Sequence, residues 1–412
     1  MKTRTKRDVM FLCQFFYPEH NSSATLPYDT AKYLAAHGMT VDAVCGYPKE
    51  YSDDSNVPKK EEREGVCINR IGYLQLKRTG KIGRLINYFS FTLSALARLS
   101  RLRKYRCVIV YSNPPVLPLV AVLGKILFKT KIIFVAYDVY PEVAYASGSV
   151  RKGSLIDKGM NVINKMLFNR VDKVIALTDE MKEFLLEHRG ALSAEQIVTV
   201  ANWAHEKRTD ADDAAYERFG FSRNDFVVSY FGNMGICQEM QTLVDAAIKM
   251  RDRENIKFFF VGHGCKKDDI ESLLKQNYCD NAQMYSFLTG KDFEQAVAVS
   301  SCCVVSLESG LRGICAPSKF YSYLQGGKPV LAIVEEGSYI ENEIELNQIG
   351  HAIHIGDVDT LVNTIEMLAA NRDECARMGE RSLKLYNDQY EMTIALDKYV
   401  DAVFKLINSD KE

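Results

Sequence analysis

Two successive series of short apolar runs, each alternating with helical patterns, most constrain what this chain of 412 residues can fold into. The first series starts at Val9-Met10-Phe11-Leu12-Cys13 and ends at Val174–Leu177, and the second starts at Phe226–Phe231. Apolar runs of strand length that alternate with helices are typical of parallel sheets with helices on both faces. We therefore predict an α/β protein with two doubly wound, Rossmann-like domains facing each other across a cleft.

A polar and acidic stretch, Asn202–Asp213, separates the two series. It predicts an N-terminal domain of residues 1–204 and a C-terminal domain of residues 205–391, in line with a chain of two to three domains at roughly 150 residues each. The last helix, Ala395 to Ile407 within about residues 392–412, is expected to return to the first domain.

Composition excludes several classes of protein. Hydrophobic residues make up 47% and charged residues 25%, as in ordinary soluble globular proteins. The 52 basic and 53 acidic residues nearly cancel, so the overall charge does not call for nucleic acid. The 11 cysteines are scattered without a C-x-x-C pair, which disfavours a zinc site or a disulfide framework. No apolar run reaches the ~18 residues of a membrane span, and we expect a cytoplasmic protein that is peripheral at the inner face of the membrane.

Glycines after the first strand of the second series suggest an anion site. Gly232-Asn233-Met234-Gly235 is predicted to follow a strand and precede a helix. Glycines let backbone N–H groups approach an anion, and a helix N-terminus adds a partial positive charge, so a diphosphate would fit. The alternative is a tight strand-to-helix turn without a ligand.

Three charged residues follow predicted strands or begin a predicted helix. Lys319, in Pro317-Ser318-Lys319, could neutralise phosphate, or it could be a surface lysine. Glu308 could accept hydrogen bonds from sugar hydroxyls, or it could be a solvated loop acid. Asp138 could face the cleft, or it could cap a helix.

Other patterns argue against nicotinamide and metal cofactors. Gly262-His263-Gly264-Cys265 lacks the third glycine of a dinucleotide fingerprint. Asp357-Val358-Asp359 is better explained by helix capping than by metal binding. The seven histidines do not cluster at ligand spacing, so no metal is expected. His20 lies in the first cleft loop and either contacts substrate or is solvated.

The charge pattern of region 70–131 points to a membrane surface. No acidic residue occurs between Glu64 and Asp138, whereas basic residues recur at Arg70, Lys77, Arg78, Lys81, Arg84, Arg98, Arg101, Arg103, Lys104, Arg106, Lys125, Lys129 and Lys131. Apolar residues recur at helical spacing within it, at Ile82, Leu85, Ile86, Phe89, Leu93 and Leu96. A basic amphipathic helix suits an anionic bilayer. Alternatively, this apolar stripe packs on the sheet and the basic face is only solvated.

Several segments, taken together, form a specific pattern over nearly the whole chain: Gln14-Phe15-Phe16-Tyr17-Pro18-Glu19, Asp138-Val139-Tyr140-Pro141-Glu142, Asn202-Trp203, Tyr230-Phe231-Gly232-Asn233-Met234-Gly235, Pro317-Ser318-Lys319-Phe320-Tyr321-Ser322-Tyr323-Leu324, Gly327-Lys328-Pro329-Val330 and Gly350. With these segments the chain resembles a family 4 retaining glycosyltransferase of the GT-B fold, nearest the bacterial subgroup that builds O-antigen and capsular repeat units.

The resemblance implies transfer of a hexosyl or N-acetylhexosaminyl group from a nucleotide-sugar, expected to be UDP-linked, to a lipid-linked or glycan acceptor. It also implies that the configuration at the anomeric carbon is retained and that no metal is needed. The donor would be held in the second half by Gly232, Asn233, Met234, Gly235, Gly264, Phe287, Leu288, Arg312, Ser318, Lys319 and Ser322. The acceptor would lie in the first half, near Tyr17, Glu19, His20, Asn21, Ser22 and Glu142. Asp138, Lys319 and Glu308 would serve catalysis.

The chain also departs from the family pattern. Asn21-Ser22-Ser23 stands where the family often has a glycine pair, and Cys237-Gln238 stands where a basic residue usually follows the diphosphate turn. The family's ribose-binding glutamate falls at Ser322, and the missing cation leaves a role open for Arg312. These two departures leave a non-catalytic sugar-nucleotide-binding protein as an alternative. A nucleotide-sugar 2-epimerase of the same fold is a second alternative, although the sequence does not supply the acid/base carboxylates and histidines that it would need around the donor sugar.

Overall fold

The computed structural model describes residues 6–49, 56–76 and 81–409, without the side chain of Lys81. The chain divides into two compact units. Unit 1 comprises Met1–Ala201, Gly313–Ala316 and Thr393–Glu412, and unit 2 comprises Asn202–Arg312 and Pro317–Met392.

Unit 1 is built around one sheet flanked by helices. Its strands are β1 Arg7–Leu12, β2 Val41–Gly46, β3 Lys60–Arg63, β4 Val66–Ile71, β5 Tyr105–Tyr111, β6 Lys131–Ala136, β7 Lys173–Ala176 and β8 Ile197–Thr199. Its helices are α1 Ser22–Ala36, α2 Lys81–Leu96, α3 Pro118–Phe128, α4 Glu142–Ala146, α5 Leu155–Phe168 and α6 Asp179–His188, with short 3₁₀ segments at Leu99–Lys104 and Ala194–Gln196.

Unit 2 repeats this architecture. Its elements are α7 Asp213–Phe219, β9 Phe226–Asn233, α8 Gln241–Lys249, β10 Ile256–His263, α9 Lys267–Gln276, β11 Ala282–Tyr285, α10 Gly290–Val299, β12 Cys302–Ser306, α11 Lys319–Gln325, β13 Val330–Val334, α12 Tyr339–Asn347, β14 Gly350–His354, α13 Val358–Ala370 and α14 Arg372–Leu385. A π-helical turn, Tyr386–Tyr390, leads to α15, Met392–Asn408.

The strand order of each sheet identifies where a ligand would bind. The sheet of unit 1 runs β3-β4-β2-β1-β5-β6-β7-β8 and is parallel except for β3, and the sheet of unit 2 runs β11-β10-β9-β12-β13-β14 and is parallel throughout. The order reverses beside β1 in the first sheet and beside β9 in the second. Ligands of open α/β sheets bind outside the carboxyl ends of the strands at such switch points.

The predicted fold class is confirmed, since both halves contain the parallel sheets that the apolar runs indicated. The interiors of these strands are buried, as in β2 and β12, where every residue is buried. Prediction missed β3, whose sequence Lys60-Glu61-Glu62-Arg63 has no apolar residue. It forms a hairpin with β4 through Glu64 and Gly65, both with positive φ, as tight hairpin turns require.

One short segment departs from the predicted domain boundaries. Gly313–Ala316 belongs to unit 1, although it lies within the predicted C-terminal domain. Cys315 forms a β-bridge with Asp138, and the Val139 N–H donates to the Ile314 carbonyl at 2.8 Å. The boundary between the two units also lies slightly earlier in the chain than predicted, since unit 2 begins at Asn202 rather than at residue 205.

Helix α15 packs on unit 1 from its second residue onward. The Tyr33 hydroxyl donates to Asp397 at 2.7 Å, and Lys131 Nζ donates to the Leu406 carbonyl at 2.9 Å. These bonds tie the C-terminal helix to α1 and to the start of β6.

Part of the predicted basic region does not form a basic surface. Arg70 is 1% exposed and pairs with Glu61, so it belongs to the interior. Lys125 pairs with Asp172 at 2.7 Å. Lys77 and Arg78 lie outside the described residues. None of the helices in the described ranges is long and apolar enough to cross a bilayer.

Gly350 offers a test of how closely β13 and β14 approach. A Cβ added at Gly350 would overlap the Val330 carbonyl, which belongs to its ladder partner. Gly350→Ala should therefore lower the free energy of unfolding by about 1–3 kcal/mol, as overpacking does, measured by urea denaturation. Gly159→Ala is the control, because this helical glycine has open space at its Cβ and alanine favours helix by about 1 kcal/mol. Equal stability of the two variants would contradict this reading.

Candidate functional site

The glycine segment of unit 2 lies at the switch point of its sheet. Gly232 and Asn233 are the last residues of β9 rather than part of a turn, and α8 begins only at Gln241. A helix follows the segment, as expected, but its N-terminus does not adjoin Gly235. The strand pairs through its last two residues with β10, which keeps it extended farther than its apolar run predicted. Any anion here would meet strand-end amides rather than the N-terminus of α8.

The ends of β9 and β10 are joined tightly. The Met234 N–H donates to the His263 carbonyl at 2.6 Å, and the Lys266 N–H donates to the Met234 carbonyl at 2.9 Å. Gly262 and Gly264 have φ values of +153° and +142°, and a Cβ on either would overlap the backbone of the other strand end. Gly264 is therefore required for the close approach of the two strand ends, which was not evident from the sequence.

Lys319 lies over the end of β9. Its Cγ is 3.9 Å from where a Cβ of Gly232 would lie, and its Nζ is 4.2 Å from the ring centroid of Phe293. Burial lowers the pKa of Lys319, while Glu206, whose Oε1 lies 3.8 Å from Nζ, opposes that shift. Lys319 is thus a partly buried cation beside the glycine segment, and the alternative of a solvated surface lysine is wrong.

Glu308 and Lys266 form an ion pair at the same end of the sheet. Lys266 Nζ donates to Glu308 Oε1 and to the Gln238 carbonyl, both at 2.7 Å, and the Glu308 N–H donates to the Cys237 carbonyl at 3.0 Å. Sequence reasoning missed Lys266. The available signal was its position directly after Gly264-Cys265, at a strand end of the sheet that lacked its expected cation.

The remaining predicted donor residues lie in unit 2 in different settings. The Phe287 ring meets His263 edge-on at 5.4 Å, and Leu288 is the next residue of that loop. Ser318 precedes α11 without a side-chain cap, and the Arg312 guanidinium lies beside Gly337. Their part in binding a donor stays a prediction.

The Gly232–Gly235 segment is also held by its own side chains. Gln238 Oε1 accepts from the Asn233 amide and from the Gly235 N–H, both at 3.2 Å. A Cβ on Gly235 would collide with the Asn233 amide nitrogen. Gln238, which stands near the family's missing basic residue, therefore shapes this segment.

In unit 1 the predicted acceptor residues other than Glu142 lie in the loop after β1 and at the first residue of α1. Glu19 is buried, Tyr17 and Asn21 are half-buried, and His20 and Ser22 are exposed. Within the described part of the chain, the Asn21 Oδ1 atom is buried without a hydrogen-bond partner, and so is Gln14 Oε1. Buried oxygens without partners are uncommon, so this loop has acceptor capacity for a ligand hydroxyl.

Arg70 holds this loop in place from below. Its guanidinium donates to the Tyr17 carbonyl and to the Pro58 carbonyl, each at 2.9 Å, and pairs with Glu61. The Arg63 guanidinium lies 4.3 Å from the centroid of the Tyr17 ring. The loop is thus fixed by β4 and its hairpin.

Asp138 lies at the end of β6, where the bridge to Cys315 and the bond from its N–H to Ser112 Oγ, 3.1 Å long, hold its backbone. It borders a mainly apolar cavity whose lining includes Ser112, Pro115, Pro118, Phe134, Ala136, Val139, Tyr140, Asn164, Phe168 and Leu185. Burial raises the pKa of Asp138 from 3.8 to about 6. The helix-cap alternative is wrong, because Pro141 is the residue that precedes α4.

Glu142, the first residue of α4, accepts a hydrogen bond from Arg189 at 2.6 Å. Arg189 also donates to the Tyr140 carbonyl at 3.1 Å. Glu142 is therefore engaged in fixing the Asp138–Glu142 loop. Among residues 6–49, 56–76 and 81–409, no group of three His, Cys, Asp or Glu side chains could hold a metal ion.

Comparison with known proteins accords with this geometry. Residues 24–203 match the model of the glycosyl transferase 4-like domain. The probable glycosyltransferase WbjE of Pseudomonas aeruginosa is 23% identical over 330 residues, which is 79% of this chain and 81% of that protein. The putative colanic acid biosynthesis glycosyl transferase WcaI of Escherichia coli K12 is 22% identical over 331 residues, 77% of this chain and 81% of that protein.

The fold is shared with solved structures. The structure of HepE from Anabaena in complex with UDP and glucose superposes with a TM-score of 0.72, covering 97% of this chain and 100% of that one at 12% identity. The two doubly wound α/β units and this structural similarity show the GT-B fold. Residues 24–203 thus match a glycosyl transferase 4-like domain, and the chain is similar over more than three quarters of its length to proteins named as glycosyltransferases.

The raised pKa of Asp138 can be measured directly. As the pH falls, its carboxyl should take up a proton near pH 6, about two units above an ordinary aspartate, because the cavity disfavours the charged form. Carboxyl ¹³C NMR of aspartate-labelled protein measures this titration, and Asp138→Asn should remove the signal. Asp357, whose pKa is lowered by its hydrogen bond with Thr360, is the internal control. An Asp138 signal that titrates with ordinary aspartates would refute the assignment.

Proposed function

We propose that this glycosyltransferase moves a hexosyl or N-acetylhexosaminyl group from a UDP-sugar to a lipid-linked or glycan acceptor in bacterial surface polysaccharide synthesis, with retention of configuration. The relatives' names support the pathway class, since one is described by colanic acid biosynthesis. UDP in the HepE structure supports the choice of nucleotide.

The observation that carries the proposal is the position of Lys319 over Gly232 at the switch point of unit 2. Strand-end amides and a partly buried ammonium group are suited to a diphosphate. A second lysine, Lys266, lies just after the end of the neighbouring strand β10. It would supply the cation that is missing at Cys237-Gln238. The sequence analysis left this cationic role open for Arg312, and we propose Lys266 for the role instead.

The proposed reaction does not require a protein nucleophile. The bond between the anomeric carbon and the β-phosphate oxygen breaks, and the acceptor oxygen bonds to the anomeric carbon on the same face. The acceptor proton passes to the departing phosphate, as in the family's mechanism. Lys319, Lys266 and the backbone amides stabilise the charge that develops on the diphosphate. Glu308 would accept hydrogen bonds from the donor sugar, and metal is not expected to take part.

The acceptor would use the loop after β1 and the end of β6. Buried Asn21 Oδ1 and Gln14 Oε1 can accept hydrogen bonds from acceptor hydroxyls. Asp138, with its pKa near 6, is charged at neutral pH and can accept a hydrogen bond from the reacting hydroxyl. It would orient the reacting hydroxyl.

Replacing Lys319 tests the diphosphate site. Lys319→Ala should weaken UDP binding and lower sugar transfer by roughly 10²–10³-fold, the scale of removing one transition-state donor. Binding is measured by calorimetry, and transfer by radiolabel from a panel of UDP-sugars into a bacterial lipid extract. Lys249→Ala is the control, because Lys249 pairs with Asp359 on the exposed surface. UDP affinity unchanged in a folded Lys319→Ala protein would remove Lys319 from the site.

The surface of unit 1 supports attachment to a membrane. On α2 the side chains of Ile82, Phe89 and Leu93 are 75%, 47% and 64% exposed, whereas Phe91 is buried against the unit. The alternative that this apolar stripe packs on the sheet is therefore wrong for these three residues. Helix α3 packs against both α2 and α5. Helices α3 and α5 carry further exposed apolar side chains: Ile126 and Leu127 on α3, and Leu155, Ile156 and Val162 on α5.

Exposed basic residues accompany these helices. They include Arg84, Arg101, Arg103, Lys104 and Lys129, with Arg151, Lys152, Lys158 and Lys165 on or before α5. Exposed apolar side chains beside basic ones are suited to the interface of an anionic bilayer. This would bring the enzyme to a lipid-linked acceptor.

Vesicle sedimentation tests this surface. The wild-type protein should pellet with phosphatidylglycerol vesicles at low salt and be released by 0.5 M NaCl in part, because salt screens only the charges. The triple variant Ile82→Ser, Phe89→Ser and Leu93→Ser should remain in the supernatant. Leu346→Ser with Met367→Ser, exposed apolar positions of unit 2, should still pellet. Equal sedimentation of both variants would refute the role of α2.

A further inference from the structure

Glu206 brings a carboxylate to a position that its place in the sequence does not suggest. It lies in the linker at the start of unit 2, yet its side chain reaches α11. The Ser322 hydroxyl donates to Glu206 Oε2 at 2.9 Å, and the His205 N–H donates to the same oxygen at 3.2 Å. The other oxygen, Oε1, lies 3.8 Å from Lys319 Nζ.

The environment keeps this carboxylate charged. Burial raises the pKa of Glu206, whereas Lys319 and the hydrogen bond from Ser322 lower it. The lowering effects together exceed the effect of burial, so the net shift of the pKa is downward. Its side chain is 24% exposed and therefore still reachable by a ligand. The separation of 3.8 Å from Lys319 exceeds the roughly 2.7–2.9 Å of a charge-assisted hydrogen bond, so Oε1 retains lone pairs for another donor.

A carboxylate here cannot serve the phosphates of a nucleotide, because like charges repel. It can accept hydrogen bonds from hydroxyls, and two vicinal hydroxyls match its two oxygens. A nucleoside diphosphate carries such a pair on the ribose, which adjoins the diphosphate. Since Lys319 both contacts Glu206 and lies over Gly232, the carboxylate is placed beside the proposed diphosphate position.

We propose that Glu206 binds the ribose hydroxyls of the donor nucleotide and that Ser322 is the positioning residue that orients its carboxylate. The assignment rests on the proposed binding of a UDP-sugar by unit 2. It accounts for the serine at 322, where the sequence led us to expect a glutamate: the carboxylate comes from the linker, and the helix supplies the hydroxyl that fixes it.

The experiment compares UDP with 2′-deoxy-UDP and 3′-deoxy-UDP by titration calorimetry. The wild-type protein should bind UDP about 10–100-fold more tightly than it binds either deoxy analogue. This is the range expected for the loss of a hydrogen bond to a charged group. Glu206→Ala should bind all three ligands with nearly equal affinity. Glu206→Ala combined with Ser322→Glu should restore part of the preference, because the carboxylate then comes from α11.

The control is Glu294→Ala, since Glu294 is a half-buried carboxylate of α10 that accepts a hydrogen bond from the Lys207 N–H at 2.9 Å. This variant should keep the wild-type preference for UDP. If Glu206→Ala weakens all three ligands equally and keeps the preference, Glu206 serves only to hold Lys319, and the proposal is overturned. If the wild-type protein binds UDP without preferring it to the deoxy analogues, the ribose assignment fails while the donor proposal stands. If the wild-type protein does not bind UDP, the proposed donor fails and this assignment fails with it.

Discussion

The close approach of β9 and β10 is the constraint on which the candidate donor site depends. Gly262 and Gly264 have conformations that favour glycine, and a Cβ on either would overlap the neighbouring strand end. Their absence of side chains allows the Met234 N–H to reach the His263 carbonyl. This contact fixes the loop that carries Lys266 relative to the strand that carries Gly232. The glycines at these strand ends therefore have two structural effects: they leave backbone amides accessible, and they allow the two loops to approach each other.

The sequence predicted the parts of the molecule that depend on local pattern. Apolar runs identified most strands, and strand ends identified the loops of Asp138, Gly232 and Glu308, because parallel topology collects those ends at one edge of a sheet. Patterns without apolar residues were missed, as in the charged strand Lys60–Arg63. The family resemblance is confirmed over residues 24–203 by the glycosyl transferase 4-like domain.

Pairings between distant segments could not be predicted from one sequence. Lys266 and Glu308 meet only because β10 and β12 lie on either side of β9. Helix α2 shows the same limit in another form, since it has apolar residues on two faces. Tyr88 and Phe91 are buried while Ile82 and Leu93 are exposed, and spacing alone does not say which face meets the sheet.

Each candidate lysine of the donor site already has a carboxylate partner. Lys319 lies near Glu206, and Lys266 is bonded to Glu308. Such a site holds two positive and two negative groups, which suits a ligand that carries both anionic oxygens and neutral hydroxyls. Inorganic phosphate would gain from the lysines but be repelled by the carboxylates. A nucleotide-sugar gives the lysines a diphosphate and gives the carboxylates the hydroxyls of a ribose and a sugar, so the charge pattern itself favours the complete donor over its phosphate alone.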